Sequence, residues 1–437
     1  MGFLKMDILF GIFNSITNVI VYIWWIILPL FLFYVAWYLY LIYLRTKYVK
    51  TIEWSMVELK VPENILKTPK SMEQIFAAMA GIYSFGLTNI NVYIEGQVEP
   101  WISFELVGYG GGVHFYVYFP TKYRNLLESA IYSQYPDAEI QPAQDYTELL
   151  GTDLPNKTYD LWGTDFILTR ESYYPIKTYP YFEEMVEERR VDPIASITEA
   201  MSSLKDGEMI WVQILISPTG DFQTMANTWQ KEGEEKIGEI AGRPKAANQK
   251  GNTLSEWTRN VILAPAEPPV WGVKKEDAPP MLKFLHPGEQ EIVKAIANKI
   301  SKFGFETDIR WIYLDRRDSF SRNNVSTIMG AFHQLRTENL NSFRPNKKTM
   351  TLKTGWLAKI FSRYKKFIEL SRKKRLFKGY ITRRFGRYNK TRPEKFPILN
   401  TEELATIYHF PSAVVMAPKL KKLEAKKGGP PAELPIE

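Results

Sequence analysis

The sequence predicts an α+β protein in which one N-terminal transmembrane helix is followed by tandem ferredoxin-like (split βαβ) units. Three observations predict it: an uncharged apolar run at 19–44, a β-α-β-β-α-β order of patterns over 51–150, and a second series of strand and helix patterns over 157–345. With 45% hydrophobic and 24% charged residues, the chain is close to the globular average, so most of it is expected to fold. The chain has no cysteine, which excludes disulfide bonds, thiolate metal sites and cysteine nucleophiles.

The apolar run at 19–44 is predicted to cross a membrane once. It holds no charged residue, and about 20 helical residues span the ~30 Å hydrocarbon core. Pro29 is tolerated in a membrane helix, and Trp24, Trp25 and Trp37 suit the interfacial zones. A cleaved signal peptide has a short apolar core and a small-residue cleavage site, whereas this run is long and bulky.

The charges that flank this run predict its orientation. Lys5 and Asp7 nearly cancel before the run, whereas three cations follow it: Arg45, Lys47 and Lys50. The positive-inside rule therefore predicts a single-pass protein of the cell membrane with its large body in the cytoplasm. The preceding segment 1–18 is apolar with few charges, and it is predicted to lie in the membrane interface.

The first ferredoxin-like unit is predicted from the order of patterns within 51–150. A strand pattern is followed by a helix that begins at Ser71, with Gln74 three residues later as in a capping box. Two alternating strands then flank a glycine-rich turn, and a helix that ends at Pro136 precedes a final strand. Because the glycines at 108–112 lie between strands and do not open a helix, a hairpin turn is favoured over a nucleotide-binding loop.

The remaining chain is divided by composition. The second α+β unit, 157–345, is predicted to carry a Pro-rich insertion at about 242–282. After it we predict a basic aromatic amphipathic segment at 350–395, a terminal helix and strand motif at 396–419, and a disordered Lys-, Gly- and Pro-rich tail at 420–437.

No pattern of an enzyme is present in the sequence. It contains neither GxxxxGK[ST] nor GxSxG nor HExxH, and its four histidines are widely scattered: His114, His286, His333 and His409. We therefore predict no catalytic residue, no metal ligand, no cofactor and no enzymatic activity.

The basic segment carries most of the charge asymmetry of the chain. Between Lys359 and Lys395 there are 15 Lys/Arg and two Glu, a local +13, and the rest of the +8 chain is therefore net −5. Apolar residues recur at helical spacing in its first half, among them Trp356, Tyr364 and Phe367. The cations predicted to contact an anionic surface or a nucleic acid are Lys365, Lys366, Arg372, Lys373, Lys374, Arg375, Lys378, Arg383, Arg384 and Arg387.

Three interpretations of this segment stay open at the level of sequence. A basic amphipathic helix binds an anionic membrane surface, where each cation contributes about 1 kcal/mol. Cations interleaved with aromatics also bind nucleic acids, through phosphate neutralisation and base stacking. The third interpretation is a helix that packs its apolar stripe on the body of the protein and leaves its cations solvated.

Two regions of the sequence resemble a known family. The first comprises TPKSMEQIFAAMAGIYS and WISFELVGYGGGVHFYVYFPTKYRNLLESAIYSQYPDAEI, and the second FPILNTEELATIYHFPS and AKKGGPPAELP. Together they resemble the N-terminal, pre-ATPase region of bacterial type IV secretion-like (conjugative) ATPases, which are related to the HerA/FtsK group. In that family the second region leads into the ATPase domain, whereas this sequence stops at Glu437, so the resemblance carries over no catalytic residue.

The resemblance implies a function and a set of docking residues. It implies a membrane-anchored accessory protein or scaffold of a translocation machine, which docks a separate HerA/FtsK-like P-loop ATPase. The motif residues implied in that docking are Asn400, Thr401, Glu402, Glu403, His409 and Pro411. The alternative is a membrane-tethered nucleic-acid-binding protein acting through 359–395. Membrane lipid is a predicted partner in both, and the oligomeric state stays open, a homo-oligomer included.

Overall fold

The computed structural model divides into two compact units, 1–53 with 86–99 and 54–85 with 100–437, which are described separately. The residues that it describes are 2–62, 67–83, 87–182, 192–219, 228–242, 285–321, 323–352, 362–385 and 396–411. Nearly all of the predicted Pro-rich insertion and all of the predicted tail 420–437 lie outside the described residues.

The first unit consists of a long helix and a short segment packed beside it. Helix α1 has the bounds Gly2–Thr51 and contains Pro29. From residue 2 onward, the predicted segments 1–18 and 19–44 therefore form one continuous helix. Within it, the 28 residues Trp24–Thr51 are long and apolar enough to span a membrane. The short segment contains one π-helical turn, Asn91–Glu95, which contacts α1.

The second unit is built on a nine-stranded sheet in which every strand pair is antiparallel. The strands have the bounds β1 Trp54–Lys60, β2 Ile102–Tyr109, β3 Gly112–Pro120, β4 Glu139–Pro142, β5 Tyr159–Leu168, β6 Met209–Pro218, β7 Gly304–Arg316, β8 Phe343–Pro345 and β9 Ile398–Asn400. The turn between β2 and β3 uses Gly110 and Gly111, both with positive φ, as expected of a hairpin.

The order of the strands is β4-β1-β3-β2-β6-β7-β5-β8, and β9 pairs with β7 beside this path. The first four strands have the order 4-1-3-2, and the next four repeat this order from the opposite edge. The two halves meet at β2 and β6, which pair over eight residues on each strand. The two series of strands that the sequence assigns to separate domains therefore lie in one continuous sheet.

Helices cover both faces of this sheet. They have the bounds α2 Lys70–Met79, α3 Arg124–Gln134, α4 Ala195–Ser202, α5 Thr228–Ile240, α6 Pro287–Ile300, α7 Asn323–His333, α8 Ser362–Ile381 and α9 Thr401–Ile407. The larger hydrophobic core gathers side chains of α2, α3, α4, α7 and α9 on one face. The smaller core, on the other face, is formed with α8.

Candidate functional site

A row of buried polar side chains crosses the middle of the sheet on the face covered by α8. Glu105 pairs with Gln213, Gln213 with Arg310 and Arg310 with Asp165, on four neighbouring strands. All four side chains are buried. Because side chains alternate along a strand, the adjacent row of apolar residues points into the larger core on the opposite face. Buried polar groups require partners, and several of these partners come from the end of α8 and the residues just beyond it.

The C-terminal carbonyls of α8 are satisfied by donors from the sheet. Arg310 Nη1 donates to the carbonyl of Gly379 at 2.9 Å, and Gln213 Nε2 donates to that of Tyr380 at 3.1 Å. Just beyond the helix, the Trp101 indole donates to the carbonyl of Arg383 at 2.9 Å. The last carbonyls of a helix lack hydrogen-bond donors within the helix, and the negative end of the helix dipole lies there. A buried arginine at this end supplies both a donor for a carbonyl and a positive charge for the dipole.

Arg383 joins α8 to two carboxylates. Its Nε donates to Glu105 Oε1 at 2.9 Å and its Nη1 to Asp145 Oδ2 at 2.6 Å, and its second terminal nitrogen reaches both residues as well. Burial by itself lowers the pKa of the guanidinium, but the Glu105 charge and the Asp145 hydrogen bond raise that pKa well above its usual value. Burial likewise raises the pKa of Asp145, but Arg383 outweighs it, so the pKa of that carboxyl is lowered. Arg383 and Asp145 are therefore both charged, and each is paired with the other.

The inner face of α8 is apolar and buried. Leu376, Phe377 and Tyr380 pack in the smaller core against side chains that include Trp211. The Tyr380 hydroxyl also lies 2.8 Å from that of Tyr146, which donates to Glu105. Packing on the body, the third interpretation of the basic segment, describes this face.

The outer face of α8 combines exposed aromatic residues with cations. Tyr364 is 47% exposed and Phe367 72%. At 3.6 residues per turn, these two lie on the same side of the helix as Lys374, Arg375 and Lys378, all three of them exposed. Tyr364 and Phe367, which the third interpretation would pack on the body, thus face outward.

The predicted contact cations have different environments in the structure. Lys373 pairs with Asp160 at 2.6 Å, Lys374 with Asp153 at 3.2 Å and Lys365 with Glu369 at 4.0 Å. Arg372 donates to the carbonyls of Lys347 and Met350. Four are exposed without an ion pair to any described residue: Lys366, Arg375, Lys378 and Arg384.

Two of the predicted contact residues, Arg383 and Arg387, differ from the others. Arg383 is 2% exposed, so its predicted contact with an external anion is corrected to an internal pair with Glu105 and Asp145. The sequence places it within a basic run, and nothing in that run shows that one cation has buried partners elsewhere in the chain. Arg387, and Trp356 of the predicted stripe, lie outside the described residues.

The motif at 400–411 is part of the interior of the second unit. Five of its predicted docking residues are buried, and only Glu402 is partly exposed; the buried five are Asn400, Thr401, Glu403, His409 and Pro411. The Asn400 side chain accepts from the Glu403 amide while the Glu403 carboxylate accepts from the Asn400 amide, a capping box that begins α9. His409 lies 2.9 Å from Asp192. The protein itself thus covers most of the surface that the motif was expected to offer a partner.

Glu403 forms a second buried ion pair with Lys299 of α6. The carboxylate and the ammonium lie 2.9 Å apart, and both side chains are fully buried. Burial raises the pKa of Glu403 and lowers that of Lys299, and in each case it exceeds the opposing effect of the partner's charge. Nearby, Lys302 bridges Glu73 of α2 at 2.7 Å and Glu402 of α9.

The residues predicted as the membrane anchor lie along α1. Trp24, Trp25 and Trp37 are exposed, as are the flanking cations Lys47 and Lys50, and Arg45 is partly buried. Pro29 lies inside the helix. Large apolar side chains from Trp24 to Tyr34 are exposed all round the helix, as expected for a segment that faces lipid.

Sequence reasoning missed the row of Glu105, Gln213 and Arg310. The available signal was a charged or amide residue inside a strand of otherwise apolar residues, as in ISFELVGY and MIWVQILISP. Such a residue cannot face water if its whole strand is buried. Among the described residues, no three His, Asp or Glu side chains form a group that could hold a metal ion.

Comparison with known proteins places the chain in a family but assigns it no activity. No curated protein matches it. One family model matches residues 50–422, which is most of the chain and includes every described residue of the second unit. The chain belongs to the family described as Domain of unknown function (DUF8128).

Proposed function

We propose that this protein is a non-enzymatic membrane-anchored scaffold that docks a separate P-loop ATPase of a type IV secretion-like translocation machine through the outer face of α8. The observation that carries the proposal is the division of α8 into a buried inner face and an exposed outer face with aromatic residues and cations. Because α8 is already fixed against the sheet, its outer face does not have to become ordered when a partner binds. The conformational entropy lost on association is therefore smaller.

The chemistry of the outer face defines the partner surface. Phe367 and Tyr364 supply apolar area, and Arg375 and Lys378 supply positive charge without a pair among the described residues. The complementary surface is acidic with an apolar pocket, because exposed aromatics and arginine are the usual anchors of an interface. The resemblance to pre-ATPase regions supports an ATPase as the bearer of that surface.

The architecture in this proposal is a pair of ferredoxin-like units fused edge to edge. The support is the order 4-1-3-2, which occurs in β1–β4 and again in β5–β8. The fusion at β2 and β6 leaves no free edge between the units, so the sheet forms one rigid platform beneath α8.

The anchor places this platform on the cytoplasmic side. The apolar helix Trp24–Thr51 supplies the span, and Arg45, Lys47 and Lys50 supply its positive flank. Protease added to sealed inside-out membrane vesicles is expected to digest the body, whereas protease added to intact spheroplasts leaves it whole. The reverse pattern would overturn the cytoplasmic assignment.

Capture of the purified ATPase by the full-length protein in lipid nanodiscs tests the docking. The variant K374Q/R375Q/K378Q is expected to lower capture at least tenfold, since each lost charge contact is worth about 0.5–1 kcal/mol. The matched control K70Q/K231Q/K294Q removes three exposed lysines of α2, α5 and α6 and is expected to bind normally. No capture by the unmodified protein at low salt, or equal losses in both variants, would overturn the proposal.

A nucleic acid is the second candidate partner, favoured by the exposure of Tyr364 and Phe367 beside cations. Single-stranded DNA would stack bases on these rings and place phosphates on Arg375 and Lys378. The expected signature is an affinity that falls steeply with salt and drops further in F367A. Binding of DNA but not of the ATPase would favour this candidate over the first.

A further inference from the structure

The segment 87–99 packs against α1 within the first unit. Gly96 has φ +68°, and a Cβ built on it would lie 2.6 Å from the backbone carbon of Leu44. Only glycine tolerates both that conformation and that approach. The ring of Tyr93 lies on that of Trp37, with centroids 6.4 Å apart and planes at 27°. The segment therefore lies along the Trp37–Leu44 part of the helix, a length of about 10 Å.

This part of α1 is the C-terminal end of the apolar stretch. Trp37, Tyr38 and Tyr40 lie there, and the cations begin at Arg45. Aromatic residues of this kind mark the boundary between acyl chains and headgroups. The segment 87–99 therefore lies beside the part of α1 that is expected at the membrane–water interface.

Three large hydrophobic side chains of the segment are exposed. Ile90 is 62% exposed, Tyr93 44% and Ile94 65%. No Lys or Arg occurs between 87 and 99, so an anionic surface would find no cation here. Three large hydrophobic side chains exposed within five residues form a patch of the kind that marks contact with an apolar surface.

The polar groups of the segment are paired internally. The Thr88 amide donates to the Asn91 side chain at 3.1 Å, and the Gln97 amide donates to the Asn91 carbonyl at 2.8 Å. Asn91 and Gln97 both donate to the carboxylate of Glu95, at 2.9 and 2.7 Å. Such pairing lowers the cost of moving a backbone turn out of bulk water.

We propose that Ile90, Tyr93 and Ile94 insert into the boundary between headgroups and acyl chains, as a second membrane contact beside α1. This inference rests on the proposed membrane anchor. Lipid is the occupant because the patch continues the apolar surface of the span at the same height. This contact fixes the rotation of α1 about its own axis, because the segment that inserts into the interface lies on only one side of the helix.

Spin labels on single cysteines test the proposal in the full-length protein, which has no cysteine of its own. The sites are I94C on the segment, F33C in the middle of the span and E53C after the positive flank, all exposed positions of the first unit. In phosphatidylcholine nanodiscs, the collision ratio of oxygen to a water-soluble nickel chelate at I94C is expected to lie between the values at F33C and E53C. Adding anionic lipid is expected to leave it unchanged.

The three sites separate the possible failures. If F33C is as exposed to nickel as E53C, the membrane anchor itself fails. If F33C lies in hydrocarbon while I94C matches E53C, the anchor stands and the second contact is overturned. If I94C is inaccessible to both reagents, protein covers the patch, for example a second copy of this chain, and the lipid assignment is overturned.

Gly96 provides an independent measurement. In I94C/G96A the added methyl group collides with Leu44, so the segment is expected to move away from α1. The label at position 94 then becomes more accessible to the nickel chelate, and the ratio of oxygen to nickel collisions falls. An unchanged collision ratio would show that the close approach does not hold the segment at the interface.

Discussion

Arg383 and Lys299 each bury a cation against carboxylates, but in different surroundings. Arg383 lies under α8 with two carboxylates, Glu105 and Asp145, and its pKa is raised. Lys299 lies among the helices of the other face with one carboxylate, Glu403, and burial pushes each of them toward its neutral form. A guanidinium that forms bidentate hydrogen bonds with two carboxylates stays charged in the interior. In a single buried Lys–Glu pair, by contrast, the attraction between the two charges barely offsets the cost of removing them from water.

The largest expected effect follows from the Arg383 site. R383A leaves Glu105 buried without its cation and is expected to lower the free energy of unfolding by about 3–5 kcal/mol. Chemical denaturation of the protein in detergent micelles measures this. R383K keeps the positive charge but cannot form the bidentate hydrogen bonds, and it is expected to lower the free energy of unfolding by less than R383A does. Equal losses in R383A and R383K would show that geometry alone, and not charge, holds α8.

A smaller loss is expected at Lys299, because Glu403 can take up a proton. K299M is expected to cost about 2–3 kcal/mol at pH 7. Burial raises the pKa of Glu403 in the folded protein above its ordinary value of about 4.5, and the Lys299 charge opposes that rise. In K299M the pKa of Glu403 is therefore higher still, so the folded variant takes up a proton that the unmodified protein binds less readily. The contribution of a group with a raised pKa is present at low pH and is lost as pH rises through the folded value, so the loss in K299M is expected to shrink toward pH 5.

The double variant K299M/E403Q is the control for this behaviour. It removes both titrating groups, so its loss of stability relative to the unmodified protein is not expected to shrink toward pH 5 as that of K299M does. A loss in K299M that is the same at pH 5 and pH 7 would contradict the uptake of a proton by Glu403.

A weaker effect is expected from Asp145, which is partly exposed. Its pKa is lowered in the folded protein, so its contribution is present above its unfolded pKa, about 3.8, and is lost as pH falls through the folded value. D145N is therefore expected to be less stable than the unmodified protein at pH 7, and nearly equal to it at the acid end. The exposed Asp137 offers the matched control D137N, which is expected to change the free energy of unfolding at pH 7 by less than about 0.5 kcal/mol.

The smallest effect on stability is expected on the outer face of α8. K374Q/R375Q/K378Q is expected to change the free energy of unfolding by less than about 1 kcal/mol, because surface ion pairs contribute little. Thermal unfolding and partner capture, measured on the same sample, separate stability from docking. A large loss of stability would show that this face packs against the protein and is not a contact surface.

The sequence predicted much of the local structure and little of what brings it together. The uncharged run coincides with most of the stretch Trp24–Thr51, and the patterns over 51–150 occur in order as β1, α2, β2, β3, α3 and β4. The pairing of β2 with β6 was not predictable, because alternation shows which face of a strand is apolar but not which strand lies at its edge.

The candidate site shows the same limit. The helical spacing in the basic segment indicated an apolar face, but Tyr364 and Phe367 lie outside and Leu376, Phe377 and Tyr380 lie inside. Spacing locates a stripe on a helix, and only the surface beneath the helix decides which stripe is covered. The docking residues expected at 400–411 are mostly interior for a related reason, since a capping box is equally compatible with a buried helix and an exposed one.

By itself, the sequence determined the apolar helix, most strands and helices of both halves of the sheet, and the concentration of cations between 359 and 395, because composition and periodicity are local properties. Only the tertiary structure decided that Arg383, in the middle of those cations, is an interior residue. Its carboxylate partner Glu105 is 278 positions away in the chain. The free energy of a buried charge depends on partners that folding brings together, and no local pattern contains them.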